Sequence, residues 1–134
     1  MQSQQATVYK QCELWWCDPD PQLTDTVGRE IQKDRPWLIV STERLHRGDC
    51  VVGLPMSRHV GKALAHLIQV PASEITMVDG TMSIDRVALT DQIRSLSKLR
   101  LRKQAGYITR PALLAVMVGL DRYLGRVYPN PKAH

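Results

Sequence analysis

The sequence lacks the features that would mark it as a membrane protein, a metal-binding protein or a disulfide-stabilised protein. Its three cysteines, Cys12, Cys17 and Cys50, are odd in number and have no close paired spacing, so neither a disulfide framework nor a metal cage is predicted. No apolar run approaches the ~20 residues needed to cross a bilayer. The polar, glutamine-rich start, Met1 to Ala6, does not match a secretion signal. We therefore expect a cytoplasmic protein with no metal, no cofactor and no membrane contact.

What is present is typical of one small globular domain with a basic surface. The 134 residues include 43% hydrophobic and 23% charged residues, a balance that supports a single core, and splitting them would leave two halves too small to fold. We predict one domain over 1–134 with flexible tails at 1–7 and 126–134. The formal net charge of +5 favours a polyanionic partner, although many basic proteins bind none.

Apolar alternation and turn residues predict mostly strands followed by one helix. Strand patterns cover residues 8–17, 36–42, 50–57, 66–70, 85–96 and 103–108. Residues 73–77 read as a short helical or irregular link, and 18–35 as a long loop of the kind that often carries function. Thr109 is a predicted helix cap, with Leu113, Met117, Leu120 and Leu124 on one inward face and Gly125 at the end. The expected fold is mostly β, a small barrel closed by a C-terminal helix.

Two strand boundaries carry the most reactive combinations of side chains. Arg35 lies where the long loop meets a rigid apolar strand, a favourable place for a fixed cation, and Glu30 is the nearest carboxylate that can act as a base. Ser57 and Arg58 place a hydroxyl and a guanidinium at the end of another strand. The plainer interpretation is that these are solvated loop charges and a serine that serves only its turn.

Further polar side chains are candidates for contact with a nucleic acid. Gln92 and Arg94, two apart on a predicted strand, are expected to share a face. Of the adjacent Trp15 and Trp16, one should join the core, and the other is then a stacking platform or an interface anchor. A basic run follows at Lys98, Arg100, Arg102 and Lys103, which attracts phosphate or simply aids solubility.

Five blocks in order over residues 9 to 125 resemble the MazF/PemK (Kid-type) toxins of bacterial toxin–antitoxin systems. The blocks are Lys10 to Asp18, Val27-Gly28-Arg29-Glu30, Arg35-Pro36-Trp37-Leu38-Ile39-Val40-Ser41, Leu54-Pro55-Met56-Ser57-Arg58, and Leu89 to Lys98 with its Asp91-Gln92-Ile93-Arg94 centre. Each block is individually weak. Their shared order and spacing make a chance similarity improbable.

The resemblance implies an SH3-like CcdB/PemK barrel, a homodimer and inhibition by a MazE-like antitoxin whose acidic segment fills an RNA groove. It also implies an endoribonuclease, or mRNA interferase, that cleaves single-stranded RNA without a metal and leaves 2′,3′-cyclic phosphate and 5′-hydroxyl ends. The family's catalytic roles correspond to Arg35 and Ser57, with Glu30 sometimes assigned a share. The expected RNA-binding side chains are Arg29, Lys33, Arg58, Gln92, Arg94 and Trp16.

This chain departs from the family pattern at several positions, and two other functions stay open on the same scaffold. Ser57 stands in place of threonine, Arg29 in place of serine, and Cys12 in place of a first-strand glycine. One alternative is a DNA gyrase poison like CcdB, but that group ends in a tryptophan-containing tripeptide, whereas residues 130–134 contain no tryptophan. The other is an inactive relative that binds only RNA or an antitoxin, and the retained arginine and hydroxyl argue against it.

Overall fold

The computed structural model describes residues 7–18, 35–43, 48–58 and 64–126. Within these ranges the chain forms eight strands, three short 3-10 segments and one α-helix. The strands are β1 (Glu13–Cys17), β2 (Pro36–Ile39), β3 (Cys50–Ser57), β4 (Ile68–Val70), β5 (Ile75–Met77), β6 (Arg86–Ala88), β7 (Arg94–Ser97) and β8 (Leu101–Ile108). The helix is α1 (Arg110–Tyr123), and the 3-10 segments are Ala72–Glu74, Thr90–Gln92 and Lys98–Arg100.

All the strand pairs recorded among these residues are antiparallel, and β3 is the branch point of the sheet. The order is β4-β6-β3-β2-β1-β8-β5, with β7 pairing a second part of β3. One edge of β3 therefore pairs with β2, while its other edge is shared by β7 near its start and β6 near its end. The expectation of a mostly β, barrel-like sheet with one C-terminal helix is confirmed.

Two hydrophobic clusters lie on opposite faces of the central strands. The larger, here the helix-side core, includes Leu14, Leu38, Leu54 and Met56 together with four residues of α1. The smaller, here the tryptophan cluster, consists of Trp15, Cys17, Trp37, Ile39, Val51, Leu96 and Leu101. Because successive strand residues face opposite sides, neighbouring residues such as Leu38 and Ile39 join different clusters. Each fully buried leucine or isoleucine here contributes about 1.5–3 kcal/mol to stability.

Helix α1 begins and ends as its sequence predicts. The Thr109 hydroxyl accepts a hydrogen bond from the Ala112 amide, and Gly125 follows the helix with a φ of +72°. The inward face is centred on Leu113, Val116 and Leu120, whereas Leu124, predicted to lie on this face, is 64% exposed. Leu124 lies beyond the last helical turn, where the 3.6-residue repeat no longer directs its side chain inward.

The first strand starts later than the apolar pattern of residues 8–17 predicts. Strand β1 begins at Glu13 because the chain turns at Cys12, which has a φ of +77°. Cys12 is the one non-glycine residue with a positive φ among those described, and this is the position where the family resemblance expects glycine. Two backbone hydrogen bonds hold the turn, from the Cys12 amide to the Ile39 carbonyl at 3.2 Å and from the Ile108 amide to the Cys12 carbonyl at 2.9 Å.

The prediction of one continuous strand over residues 85–96 is wrong. The segment is divided into β6 and β7 by the 3-10 segment Thr90–Gln92. Thr90 is fully buried and its hydroxyl donates a 2.6 Å hydrogen bond to the His66 carbonyl, which holds the turn against the segment before β4. The link predicted at 73–77 likewise contains a strand, because Ile75–Met77 pairs with β8. Short strands with buried polar turns give little periodicity to read in a sequence.

We predict that Cys12→Gly is more stable than Cys12→Ala. A left-handed backbone costs a residue with a Cβ about 1–2 kcal/mol, and the greater freedom of glycine in the unfolded chain offsets part of this. Chemical denaturation of the two variants should therefore separate them by about 0.5–1 kcal/mol in favour of glycine. Equal stabilities, or a more stable alanine variant, would contradict a strained backbone at this position.

Candidate functional site

Arg35 and Ser57 lie at the same end of two neighbouring strands. Strands β2 and β3 are antiparallel and pair Trp37 with Pro55 and Ile39 with Gly53. Arg35 immediately precedes β2, and Ser57 is the last residue of β3. Both residues are half-buried, so a cation and a hydroxyl lie at the same accessible end of the sheet.

A pair of arginines lies next to these two residues, one residue further along β3. Strands β3 and β6 pair Met56 with Ala88 and Ser57 with Val87. The same register places Arg58, which follows β3 and is exposed, opposite Arg86 at the start of β6. Arg86 is only 8% exposed, and its Nη1 donates to the Met56 carbonyl at 3.2 Å.

Arg86 was not among the residues that the sequence marked as functional. Its Nε is buried without a hydrogen-bond partner among the described residues. Burial lowers the pKa of the Arg86 guanidinium below its ordinary value, and the charges of Arg58 and Arg35 lower the pKa further. The available signal was a single arginine heading the apolar run Val87-Ala88-Leu89, where an uncharged residue would pack more easily.

The prediction that Gln92 and Arg94 share a strand is wrong. Gln92 lies in the 3-10 segment, and its Oε1 is buried without a hydrogen-bond partner among the residues described. Arg94 opens β7 opposite Gly53, on the face that also carries Ser57. Gly53 and Ser57 are four residues apart on β3, so Arg94 lies about 13 Å along the strand from Ser57. Gln92 and Arg94 thus both lie next to β3, Gln92 from the 3-10 segment and Arg94 from β7.

The two adjacent tryptophans face opposite sides, as alternation predicts. Trp15 is buried in the tryptophan cluster, where its ring contacts that of Tyr9 at a centroid distance of 4.7 Å and an interplanar angle of 55°. Its Nε1 donates to the Glu13 carboxylate at 3.0 Å. Trp16 is half-buried and packs against the helix-side core. Trp16 therefore lies on the face opposite to Ser57, and its proposed role in RNA stacking stays a prediction.

The remaining predicted site residues, Arg29, Glu30 and Lys33, lie outside the described residues, as does most of the predicted 18–35 loop. Their contribution stays a prediction. Within the described ranges, no three His, Cys, Asp or Glu side chains come together in a way that suits a metal ion.

A second set of arginines surrounds the buried thiol of Cys17. Arg100 donates from Nε and Nη2 to the Asp18 carbonyl at 2.9 and 2.7 Å, and Arg102 pairs with the Asp18 carboxylate at 2.7 Å. Burial raises the pKa of the Cys17 thiol, an effect that the charges of Arg100, Arg94 and Arg102 oppose and that of Asp18 reinforces. Basic residues are therefore found both around Ser57 and around Cys17.

Comparison with known proteins identifies the family. Residues 10–124 match the family described as PemK-like, MazF-like toxin of type II toxin-antitoxin system. No curated protein matches the sequence. None of the helices in the described part of the chain is long and apolar enough to span a membrane.

Several solved structures share the fold at low sequence identity. MazF from Deinococcus radiodurans is 23% identical over 90% of this chain and 99% of its own, with a TM-score of 0.66. An endoribonuclease from a mycobacterial species, solved with its cognate antitoxin, is 20% identical over 90% and 99%, with a TM-score of 0.62. Mycobacterium tuberculosis toxin MazF-mt6 is 19% identical over 87% and 99%, with a TM-score of 0.62.

The barrel-like sheet, its C-terminal helix and the match over most of the chain define a toxin of the type II toxin–antitoxin class. The chain belongs to the PemK-like, MazF-like toxin family. The family resemblance seen in the sequence is confirmed.

We predict that the Cys17 thiol is protected from alkylation and makes the free energy of unfolding sensitive to alkaline pH. Because burial raises its pKa in the folded state above the ordinary thiol value, the unfolded chain loses this proton first. The free energy of unfolding should therefore fall as pH rises through the ordinary thiol pKa, and Cys17→Ala should reduce that slope. Iodoacetamide at pH 8 should modify the exposed Cys50 well before Cys17.

Equal alkylation rates at the two cysteines, measured by peptide mass spectrometry on the folded protein, would contradict the burial of Cys17. Cys50→Ala is the matched control for the stability measurement, because it removes a thiol at an exposed position and should leave the pH slope unchanged.

Proposed function

We propose that this chain is the toxin endoribonuclease of a type II toxin–antitoxin pair and cleaves single-stranded RNA without a metal. The reaction is attack of a ribose 2′-hydroxyl on the adjacent phosphate, with release of a 5′-hydroxyl and a 2′,3′-cyclic phosphate. The observation that supports the proposal is that Arg35, just before β2, and Ser57, at the end of β3, lie at the same end of two paired strands. The solved mycobacterial relative described as an endoribonuclease supports it.

The chemistry needs a fixed cation and a hydrogen-bond donor more than it needs a base of unusual strength. Attack of the 2′-oxygen gives a pentacoordinate phosphorane that carries more negative charge than the phosphodiester. In our proposal the Arg35 guanidinium stabilises that charge, and the Ser57 hydroxyl donates to a phosphoryl oxygen. Both groups are next to paired strands that hold the backbone, since Ser57 pairs with Val87 and Arg35 directly precedes β2.

Proton transfer completes the reaction. An arginine has a pKa above ~12 and is a poor base, so Arg35 is assigned charge stabilisation or proton donation to the leaving 5′-oxygen. Glu30 is the proposed base that accepts the 2′-hydroxyl proton. Substrate bases must be unstacked to be read at their edges, which is why single-stranded RNA is the expected substrate.

The same basic surface accounts for the proposed partners. Gln92 and Arg94 border the strand that carries Ser57, and Arg58 follows it, so an RNA strand can extend along β3. An acidic segment of a MazE-like antitoxin would compete for these cations. We further propose a homodimer that acts in the cytoplasm. Gyrase poisoning is not favoured, since no observation on the described surface points to that target.

We predict that purified protein cuts a long single-stranded RNA at discrete sites in excess EDTA and that Arg35→Ala abolishes the cuts. Removing one fixed donor to a developing oxyanion typically costs 10²- to 10³-fold in rate, and we expect a loss of about this size for Arg35→Ala. Ser57→Thr should retain activity because it keeps the hydroxyl, whereas Ser57→Ala should lose most of it. End mapping should find cyclic phosphates.

Arg122→Ala is the matched control, because this exposed helix arginine donates to the Ala65 carbonyl and lies outside the proposed site. Binding of RNA without cuts by the wild type would contradict catalysis and favour the non-catalytic binder. Cuts that persist in both Arg35→Ala and Ser57→Ala would place the chemistry elsewhere.

A further inference from the structure

We propose that Arg86 and Arg58 form an anion-binding pair that holds a phosphate of the RNA backbone beside Ser57. This inference deepens the proposed function and rests on it for the identity of the ligand. It assigns a role in substrate binding to Arg86, which the sequence comparison with the family does not mark. Four observations carry it, namely burial, an orphaned donor, an opposed cation and proximity to the reacting groups.

Among the described residues, Arg86 is buried without the acidic partner that a buried charge normally has. Only 8% of the residue is exposed, and the one hydrogen bond recorded for its side chain goes to the neutral Met56 carbonyl. No carboxylate pairs with it among the described residues. Buried charges in stable proteins are usually paired or bound to ions, since a guanidinium removed from water without an anion is strongly disfavoured. The structure therefore holds a cation whose counter-charge is missing from the described protein.

An N–H group of the same side chain also lacks an acceptor. The Nε of Arg86 is buried and makes no hydrogen bond within the described part of the chain. A guanidinium presents its Nε and one Nη as a planar fork that matches two oxygens of a phosphate or carboxylate. Because Nη1 donates to Met56, a second acceptor near Nε is what the side chain still lacks.

Because the charges around Arg86 are also positive, a bound anion would stabilise this part of the structure. The β3–β6 register continues to place Arg58 opposite Arg86, and like charges directly opposed on a sheet are destabilising. The charges of Arg58 and Arg35 are close enough to lower the pKa of Arg86 together with its burial. One bound anion between these guanidinium groups would offset both the repulsion and the desolvation.

A backbone phosphate fits this position better than a carboxylate of a protein partner. The pair lies at the same end of β3 as Ser57 and, by strand alternation, on the other face of the sheet, but the charge of Arg35 still acts on Arg86. Consecutive phosphates are covalently spaced along RNA, so a strand whose scissile phosphate lies at Ser57 must bring another phosphate nearby.

The test measures the melting temperature, the RNA affinity and the salt dependence of that affinity. A purely structural role for Arg86 would lower the first in a variant and leave the other two unchanged. If Arg86 is an uncompensated binding cation, Arg86→Met should raise the melting temperature of the free protein by about 2–5 °C. The same variant should weaken binding of a 2′-O-methyl oligoribonucleotide, which cannot be cleaved, by about tenfold to a hundredfold. The slope of log K against log salt should shrink by about 0.7, the value for one phosphate contact on a single strand.

Two further variants complete the design. Arg86→Lys retains the charge, so it should keep the salt slope but bind RNA more weakly than wild type, because an ammonium lacks the planar fork. If Arg86→Met does not fold, the RNA affinity of Arg86→Lys tests the proposal in its place. Arg122→Met is the matched control, since Arg122 likewise donates one N–H to a backbone carbonyl, and its RNA affinity should be unchanged.

Each outcome decides between the alternatives. A lower melting temperature for Arg86→Met with unchanged RNA affinity would overturn the proposal and make Arg86 structural, as would an Arg86→Lys protein that binds RNA like the wild type. If Arg86→Met binds RNA normally but no longer binds a polyglutamate peptide that the wild type binds, the proposal is overturned in favour of an acidic protein partner. If the wild type binds RNA through Arg86 but never cleaves it, the proposed function fails and this inference stands. If the wild type cleaves and Arg86→Met binds normally, only this inference fails.

Discussion

The antiparallel pairing of β3 with β2 at one edge and with β7 and β6 at the other is the constraint on which the candidate site depends. The β2 pairing brings Arg35 to the end of the sheet that carries Ser57, and the β6 register, continued by one residue, places Arg86 opposite Arg58. A one-residue slip in either ladder would move one partner to the other face of the sheet. The two hydrophobic clusters oppose such a slip, since each requires its own alternate residues of β2 and β3. Core packing therefore fixes the relative positions of charged groups at the sheet rim.

The site combines cations that destabilise one another in the free protein. Arg86 is buried near Arg58 and Arg35 without a recorded acidic neighbour in the described ranges, and Gln92 buries an amide oxygen with no hydrogen-bond partner there. Unsatisfied buried polar groups cost about 1–3 kcal/mol each in a folded protein. Such sites persist where a ligand supplies the missing partner, and stability is commonly lower where function needs a preorganised charge. An RNA phosphate is the ligand that our account places there.

The sequence predicted the elements that repeat a clear pattern and missed those that depend on tertiary contacts. The boundaries of β3 were visible as an apolar run between turn residues, the start of α1 as the Thr109 cap, and part of its core face, Leu113 and Leu120, as helical spacing. The break between β6 and β7 was not, because Thr90 satisfies its hydroxyl on His66, which is distant in sequence. Arg35 and Ser57 were found through family resemblance and their strand boundaries. Arg86 was missed because its significance comes from burial and from neighbours on other strands.

The central claim is that Arg35 and Ser57 act together on one phosphate, and a double-mutant cycle of single-turnover RNA cleavage tests it most directly. Groups that stabilise the same transition state are strongly non-additive, so the double variant Arg35→Ala with Ser57→Ala should be little slower than the slower single variant. Rate losses that multiply across the two substitutions would mean that the residues act independently. That result would contradict the cross-strand pair as a catalytic unit.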